Sequence, residues 1–339
     1  MGKELTYLDL SRQRQTLGKI LPLKMPLSIQ FQITNLCNFK CYYCNASQSI
    51  EDRMNDGILL KHMPFEDYKT CIDSIKRSGG TKVLNLVGWG EPLLHPDIVN
   101  IVRYAKEASV AKLVRIVSNG SLLTHEMSDA LIDAGLDNIR ISLQGTCQED
   151  YRTTSGVHID FEKFVENIEY YYNHRQQSRI SLKIMDVALE GKEEEFQQIF
   201  SGICNEYLVD SLVEISDNID LHGHGSALDK AFLGTSFLDT SICSVPFYRG
   251  FIDVDSRLFP CCHIPRPYTF GDVRENFYDV WNGVEHIIFL LDILNNRCGK
   301  YPGCQKCKMY LNQLTPAEKL DDYRDALIPK YEALLASAK

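Results

Sequence analysis

The chain has 339 residues, 44% of them hydrophobic and 24% charged, with a formal net charge of −9. That length suits one large domain plus a smaller one, and the acidic balance without any Lys/Arg-rich run argues against nucleic-acid binding. No run of about 18 apolar residues is present to span a membrane, and the polar start MGKELTYLDLSRQRQTLGKI lacks the apolar centre of a secretory signal, so a cytoplasmic protein is expected.

Residues 1–26 read as an N-terminal extension. From 27 to 216 the chain alternates strand-like and helix-like segments. The predicted strands are LSIQFQIT (27–34), KVLNLVGW (82–89), KLVRIVSN (112–119), NIRISLQG (138–145), ISLKIMDV (180–187) and YLVDSLVEIS (207–216). Helices are predicted between them. PFEDYKTCIDSIKRSG stops at a glycine pair, HPDIVNIVRYAKEA carries an early proline, and THEMSDALIDAG opens on a threonine cap. IDFEKFVENIEYYYNHR and KEEEFQQIFSGICNEY complete the set. Six βα units in succession imply a parallel sheet with right-handed crossovers, two units short of a closed eight-stranded barrel. The expected fold class is therefore α/β, a partial (β/α)6 barrel. Its chemistry should gather at the C-terminal ends of the strands.

The βα rhythm stops after residue 216. Residues 217–242 are polar with Gly and Ser and read as a linker or lid, residues 243–310 as a compact cysteine-rich region, and residues 311–339 as a C-terminal helix. Within the cysteine-rich region, Phe251 to Val254 and Arg257 to Pro260 should be the arms of a hairpin, with Asp255 and Ser256 at the turn.

Twelve cysteines in a reducing compartment point to metal binding or chemistry rather than disulfides. Cys71, Cys147 and Cys204 are isolated and read as small buried hydrophobes. The first group, in CNFKCYYC, is Cys37, Cys41 and Cys44. Three thiolates can ligate three irons of a four-iron cluster and leave the fourth open to a reactive ligand. Structural zinc would need a fourth ligand, and the first histidine downstream is His62. The second group holds Cys243, Cys261, Cys262, Cys298, Cys304 and Cys307. Cys243, Cys261, Cys304 and Cys307 make a set of four that could close a cluster, with Cys262 or Cys298 as replacements for Cys261. A four-cysteine zinc knot is the competing reading.

CNFKCYYC, GWGEPLLHPD, VSNGSLLT and RISLQG fall in order at four strand ends, and together they resemble the radical S-adenosylmethionine (SAM) superfamily. The resemblance implies that Cys37, Cys41 and Cys44 hold the SAM-binding [4Fe-4S] cluster, with Tyr43 in the signature's aromatic place. It also implies that Gly90 and Glu91 meet the methionine end of SAM, that Ser118 and Asn119 line the site, and that Ser142 contacts the ribose. Trp89 replaces a customary glycine, and Gln144 a customary acid. The C-terminal region resembles the SPASM/twitch extension, through its Cys-Cys pair, the segment from Gly271 to Gly283 and a late C-x2-C. No Cys follows Cys307, which favours the shorter twitch form with one auxiliary [4Fe-4S] cluster.

The resemblance implies SAM cleavage to a 5′-deoxyadenosyl radical and hydrogen abstraction from a substrate. A closed auxiliary cluster suits electron removal from the substrate radical, hence dehydrogenation of a small polar molecule such as a sugar, aminocyclitol or nucleotide sugar. The alternative is a maturase of a ribosomally made peptide. A flavodoxin- or ferredoxin-type electron donor is implied as partner, and no nucleic acid or membrane. Lys183, Asp186, Arg115, His222, His224, Tyr248 and Arg249 are further candidates for the pocket. The residues single out no catalytic base.

Overall fold

The predicted strands alternate two kinds of side chain, and that alternation gives the sheet two unlike faces. Leu84, Leu86, Val114, Ile116, Ile139 and Ile141 turn to one face and are fully buried. Asn85, Arg115 and Arg140, one residue out of step with them, turn to the other and line a cavity. A doubly covered parallel sheet would be apolar on both faces. Here the long crossover helices cover the apolar face, and the polar face borders the cavity.

The computed structural model describes residues 2–5, 14–212, 219, 221, 239–262, 268–305, 307, 310–311 and 314–338. Its strands are β1 (Lys3–Glu4), β2 (Ser28–Phe31), β3 (Thr81–Leu86), β4 (Ala111–Ser118), β5 (Asn138–Leu143), β6 (Arg179–Met185), β7 (Glu206–Asp210), β8 (Arg249–Ile252), β9 (Arg257–Phe259) and β10 (Gly271–Asp272). They form one sheet in the order β1-β7-β6-β5-β4-β3-β2-β8-β9-β10. From β2 to β7 every neighbour is the next strand in the chain and every pair is parallel. Steps in one direction put all crossovers on one side, which is the (β/α)6 arrangement expected. The longer helices are α1 (Phe65–Arg77), α2 (Ile98–Glu107), α3 (His125–Asp133), α4 (Phe161–His174), α5 (Glu193–Phe200), α6 (Val284–Leu294) and α7 (Arg324–Ala338). Thr124 caps α3 by accepting from Met127 N, and Asp160 caps α4 by accepting from Lys163 N.

Both edges of the six-strand core are covered by remote chain. β1 lies parallel to β7. On the far edge β8 lies parallel to β2, with Ser28 opposite Arg249 and Phe31 opposite Ile252. β9 then returns antiparallel, pairing Phe259 with Phe251. The expected hairpin is therefore present, but its first arm is also a strand of the barrel sheet. Ser256 takes a left-handed conformation (φ 64°) at the turn. Among the described residues no helix is long and apolar enough to cross a membrane. Most of the 217–242 segment, including His222 and His224, lies outside the described residues.

Candidate active site

The loop after β2 carries the first cysteine group, and its path is set by the loop after β3. Gly90 lies so close to that path that a Cβ there would stand 2.3 Å from Thr34 O and 2.7 Å from Leu36 O. Only glycine permits the approach. Glu91 N then donates to Leu36 O at 2.8 Å, one residue before Cys37. The Glu91 carboxylate is buried and fully engaged. It accepts from Ser118 Oγ (2.7 Å), Asn119 N (2.6 Å) and Leu93 N (2.9 Å). Burial pushes its pKa up against the pull of these three donors. Glu91 thus bolts the end of β4 to the β3 loop, a structural duty not foreseen from the sequence.

The cysteine loop is tied to β4 as well. Asn119 Nδ2 donates to Asn38 Oδ1, and Asn38 Nδ2 donates to Ser121 Oγ, both at 2.8 Å. Asn38 lies between Cys37 and Cys41, so β4 fixes the loop from inside the motif. From β5, Gln144 meets the loop on its other side. Its Oε1 accepts from Tyr43 Oη and from Cys41 Sγ (3.5 Å), while its Nε2 donates to Ser142 O (3.0 Å). Gln144, in the family's acidic place, therefore holds the aromatic and the central cysteine of the motif.

Burial raises the Cys37 thiol to about 11, with Glu91 and Cys44 adding to the rise. Cys41 is raised further by burial and by both neighbouring cysteines, and Cys44 is raised by burial. Three buried, mutually repelling thiols are poor anions alone, and a metal centre is what deprotonates such a set. The donor chemistry and the glycine-tight loop fit a cluster held by Cys37, Cys41 and Cys44. Arg53 belongs to no motif in the sequence. Its side chain is buried, donates Nη2 to Asn35 O at 2.7 Å, and lowers the pKa of Cys37 and Cys44 through its charge.

The uncovered face of the sheet encloses a cavity of about 800 Å³. Ser142 opens on it, as do Arg115, Lys183, Tyr248 and Arg249. Lys183 pairs with Asp210 of β7 at 2.5 Å. Asp186 instead accepts from Leu212 N and Val187 N, a structural use.

The second cysteine group falls at the other end of the sheet, Cys261 and Cys262 near Arg249 and Cys298, Cys304 and Cys307 near Cys243. β8 rises alongside β2, so Arg249 is level with Ser28, at the end of the sheet remote from Cys37. Cys243 stands six residues before Arg249, and the β8–β9 register continued brings Cys261 back opposite Arg249. Cys261 and Cys262 both act on the Arg249 charge. Cys243 is raised by burial and by Cys307, Cys304 and Cys298. The structure thus brings Cys298 to this group as a further thiol. Asp292 clamps the loop that carries it, accepting from Tyr301 Oη (2.7 Å), Arg297 Nε (3.0 Å) and Lys300 Nζ.

Residues 31–201 match the family model of the radical SAM superfamily, and residues 243–308 match SPASM, an iron–sulfur cluster-binding domain. A curated relative, the AdoMet-dependent heme synthase of Methanosarcina barkeri, is 28% identical over 144 residues, covering 42% of this chain and 38% of its own. The chain spans about two fifths of the length of the curated relatives it matches. Two solved structures share the fold. BtrN, in complex with AdoMet and 2-DOIA, aligns with a TM-score of 0.55 at 18% identity, covering 84% of this chain and 93% of its own. SuiB of Streptococcus suis, bound to S-adenosylmethionine, aligns with a TM-score of 0.60 at 15% identity, covering 87% of this chain and 74% of its own. The chain belongs to the radical SAM superfamily, with a SAM-binding [4Fe-4S] cluster, SAM and a C-terminal SPASM iron–sulfur domain.

Proposed function

We propose that the protein is a dehydrogenase-type oxidoreductase acting on a small polar molecule held in the barrel cavity. One observation carries this reading: the cavity is lined both by Ser142, whose O accepts from the Gln144 that holds Cys41, and by Arg249, on whose charge Cys261 and Cys262 act. When bound, the cluster at Cys37, Cys41 and Cys44 supplies the electron that cleaves SAM to the 5′-deoxyadenosyl radical, and the auxiliary cluster supplies a sink for the electron left on the substrate. Cys243, Cys261, Cys304 and Cys307 are the proposed auxiliary ligands of a one-cluster, twitch-like region. Gly90, Glu91, Ser118, Asn119, Ser142 and Tyr43 shape or line the SAM site. A flavodoxin- or ferredoxin-type protein is the proposed electron donor.

The oxidation removes a hydrogen atom from a carbinol carbon, then a proton and one electron, leaving a ketone. Asp210 is the proposed proton acceptor. Lys183 holds one of its oxygens, and the other, Oδ1, has no hydrogen-bond partner among the described residues. Both residues line the cavity. A volume of about 800 Å³ suits a small ligand. The peptide-maturase reading has one support of its own, a fold shared with SuiB, which has also been solved bound to precursor peptide SuiA.

The test is anaerobic reconstitution with SAM and reductant, followed by mass spectrometry of metabolite and peptide pools. The reading expects a substrate-dependent burst of 5′-deoxyadenosine and a small-molecule product lighter by two hydrogens. Asp210→Asn should keep the burst and lose that product. A crosslinked or cleaved peptide product would sink it.

A further inference from the structure

The cavity runs against the charge of the chain. The whole sequence carries −9, yet Arg14, Lys82, Arg115, Arg140, Lys183 and Arg249 line the cavity against three carboxylates, Glu206, Asp210 and Glu318. Those carboxylates already have partners. Glu318 holds Arg14, and Asp210 holds Lys183. Glu206 accepts from Arg179 (3.0 Å) and Ser181 Oγ (2.8 Å).

Arg115 and Arg140 form no ion pair within 4 Å among the described residues, although the charge of Glu206 reaches both and that of Asp210 reaches Arg140. Arg115 donates Nε to Asn138 Oδ1 at 2.8 Å. Arg140 Nε is shut away from solvent with no hydrogen-bond partner among the described residues. The two stand on adjacent strands, where Arg115 pairs with Asn138 and Val117 with Arg140. Burial, then the charge of Arg140, push the Arg115 pKa down to about 10. Two neighbouring guanidiniums, both taken from bulk water, repel each other and want an anion. A guanidinium fork matches the paired oxygens of a carboxylate or phosphate.

We propose that Arg140 and Arg115 form an anion anchor in the middle of the cavity, and that the substrate is a small molecule bearing a phosphate or carboxylate. This rests on reading the cavity as the substrate site. It turns away from an aminocyclitol, whose ammonium groups would meet like charge. It also sets the length of the substrate. Ser142 lies two residues beyond Arg140 on β5, about 7 Å toward the cysteine loop at strand rise. The reacting C–H bond therefore sits about one sugar ring away from the anchored oxyanion.

The test uses the anaerobically reconstituted holoenzyme with SAM, titrated calorimetrically at fixed ionic strength with inorganic phosphate and, separately, with acetate. At least one of the two should bind, and Arg140→Met should weaken that binding at least tenfold. Preference for phosphate identifies a phosphate ester, and preference for acetate a carboxylic acid. Without anion, Arg140→Met should melt no lower than wild type, because it relieves the repulsion with Arg115, while Glu206 and Asp210, whose charges also reach Arg140, keep Arg179 and Lys183 as partners. Failure of both anions to bind, equal binding by the variant, or a lowered melting temperature without anion would each overturn the proposal. No readout involves turnover, so such a failure leaves the dehydrogenase reading standing. Anion binding without an oxidised product would count against that reading alone.

Discussion

Gly90→Ala adds one carbon at the tightest contact around the cysteine loop. The new Cβ would stand 2.3 Å from Thr34 O and 2.7 Å from Leu36 O, where ordinary contacts begin at 3.4 Å. Both neighbours are backbone atoms, so no side chain can swing aside. The two loops must separate by about 1 Å, at a cost of about 1–3 kcal/mol, typical of overpacking in a well-packed region. For a chain of 339 residues, that lowers Tm by about 1–4 °C. The larger effect should be on metal. Leu36 O also accepts from Glu91 N and directly precedes Cys37, so the shift passes to the first ligand. We expect Gly90→Ala to lose about four irons per chain, those of the SAM-site cluster, and its reduced-cluster electron paramagnetic resonance signal, while the circular dichroism spectrum stays close to wild type. Gly202→Ala is the control, because nothing lies within 4 Å of its added Cβ. A Gly90→Ala protein with full iron and unchanged Tm would refute the argument that backbone approach positions the cluster loop.

Replacing Cys37, Cys41 and Cys44 together with Ala should abolish 5′-deoxyadenosine formation while leaving auxiliary iron; persistent cleavage under dithionite would contradict the ligand assignment. The reconstituted wild type should hold about eight irons per chain, two four-iron clusters. About four irons with one stoichiometric zinc would favour a zinc knot. Cys304→Ala with Cys307→Ala should lose the oxidised product but keep SAM cleavage, checked against iron content because metal can supply the folding energy of such a region. Asp292→Asn should destabilise the fold by about 1–2 kcal/mol and speed auxiliary iron loss to a chelator. Burial raises the Asp292 pKa, but hydrogen bonds from Lys300, Tyr301 and Arg297 outweigh it and hold the carboxyl below its usual range. Its contribution is therefore present above a pH of about 4 and lost as pH falls below it, and the variant's acid-unfolding profile should be flatter there.

The strands and crossovers were legible because the signal repeats. KLVRIVSN and NIRISLQG place apolar residues every second position, and the structure buries that set beneath the helices. The same alternation held the cavity in view, since Arg115, Arg140 and Ser142 are its other half. Single-strand periodicity could not say that the polar half meets across the sheet, because that needs the register. The cysteine loop was legible as a motif, yet the contacts that hold it were not. Asn38, Gln144 and Arg53 act through partners on other strands or loops. β1 is two polar residues long and carries no pattern to detect. β8 read as a hairpin arm, and nothing local announces its parallel pairing with β2.

The pairing of β8 with β2 constrains how the chain can be made. Ser28 must wait for Arg249, more than two hundred residues later, before its free edge is covered. Contacts that distant form slowly, because the loop between them must first be closed. During synthesis the first cysteine loop and its supporting β3 and β4 loops can assemble long before β8 arrives. Until then the outer edge of β2 is an open template for strand addition by another chain. Truncations that end before residue 249 should therefore aggregate through that edge, and metal delivery to the first cysteine loop can precede closure of the cavity.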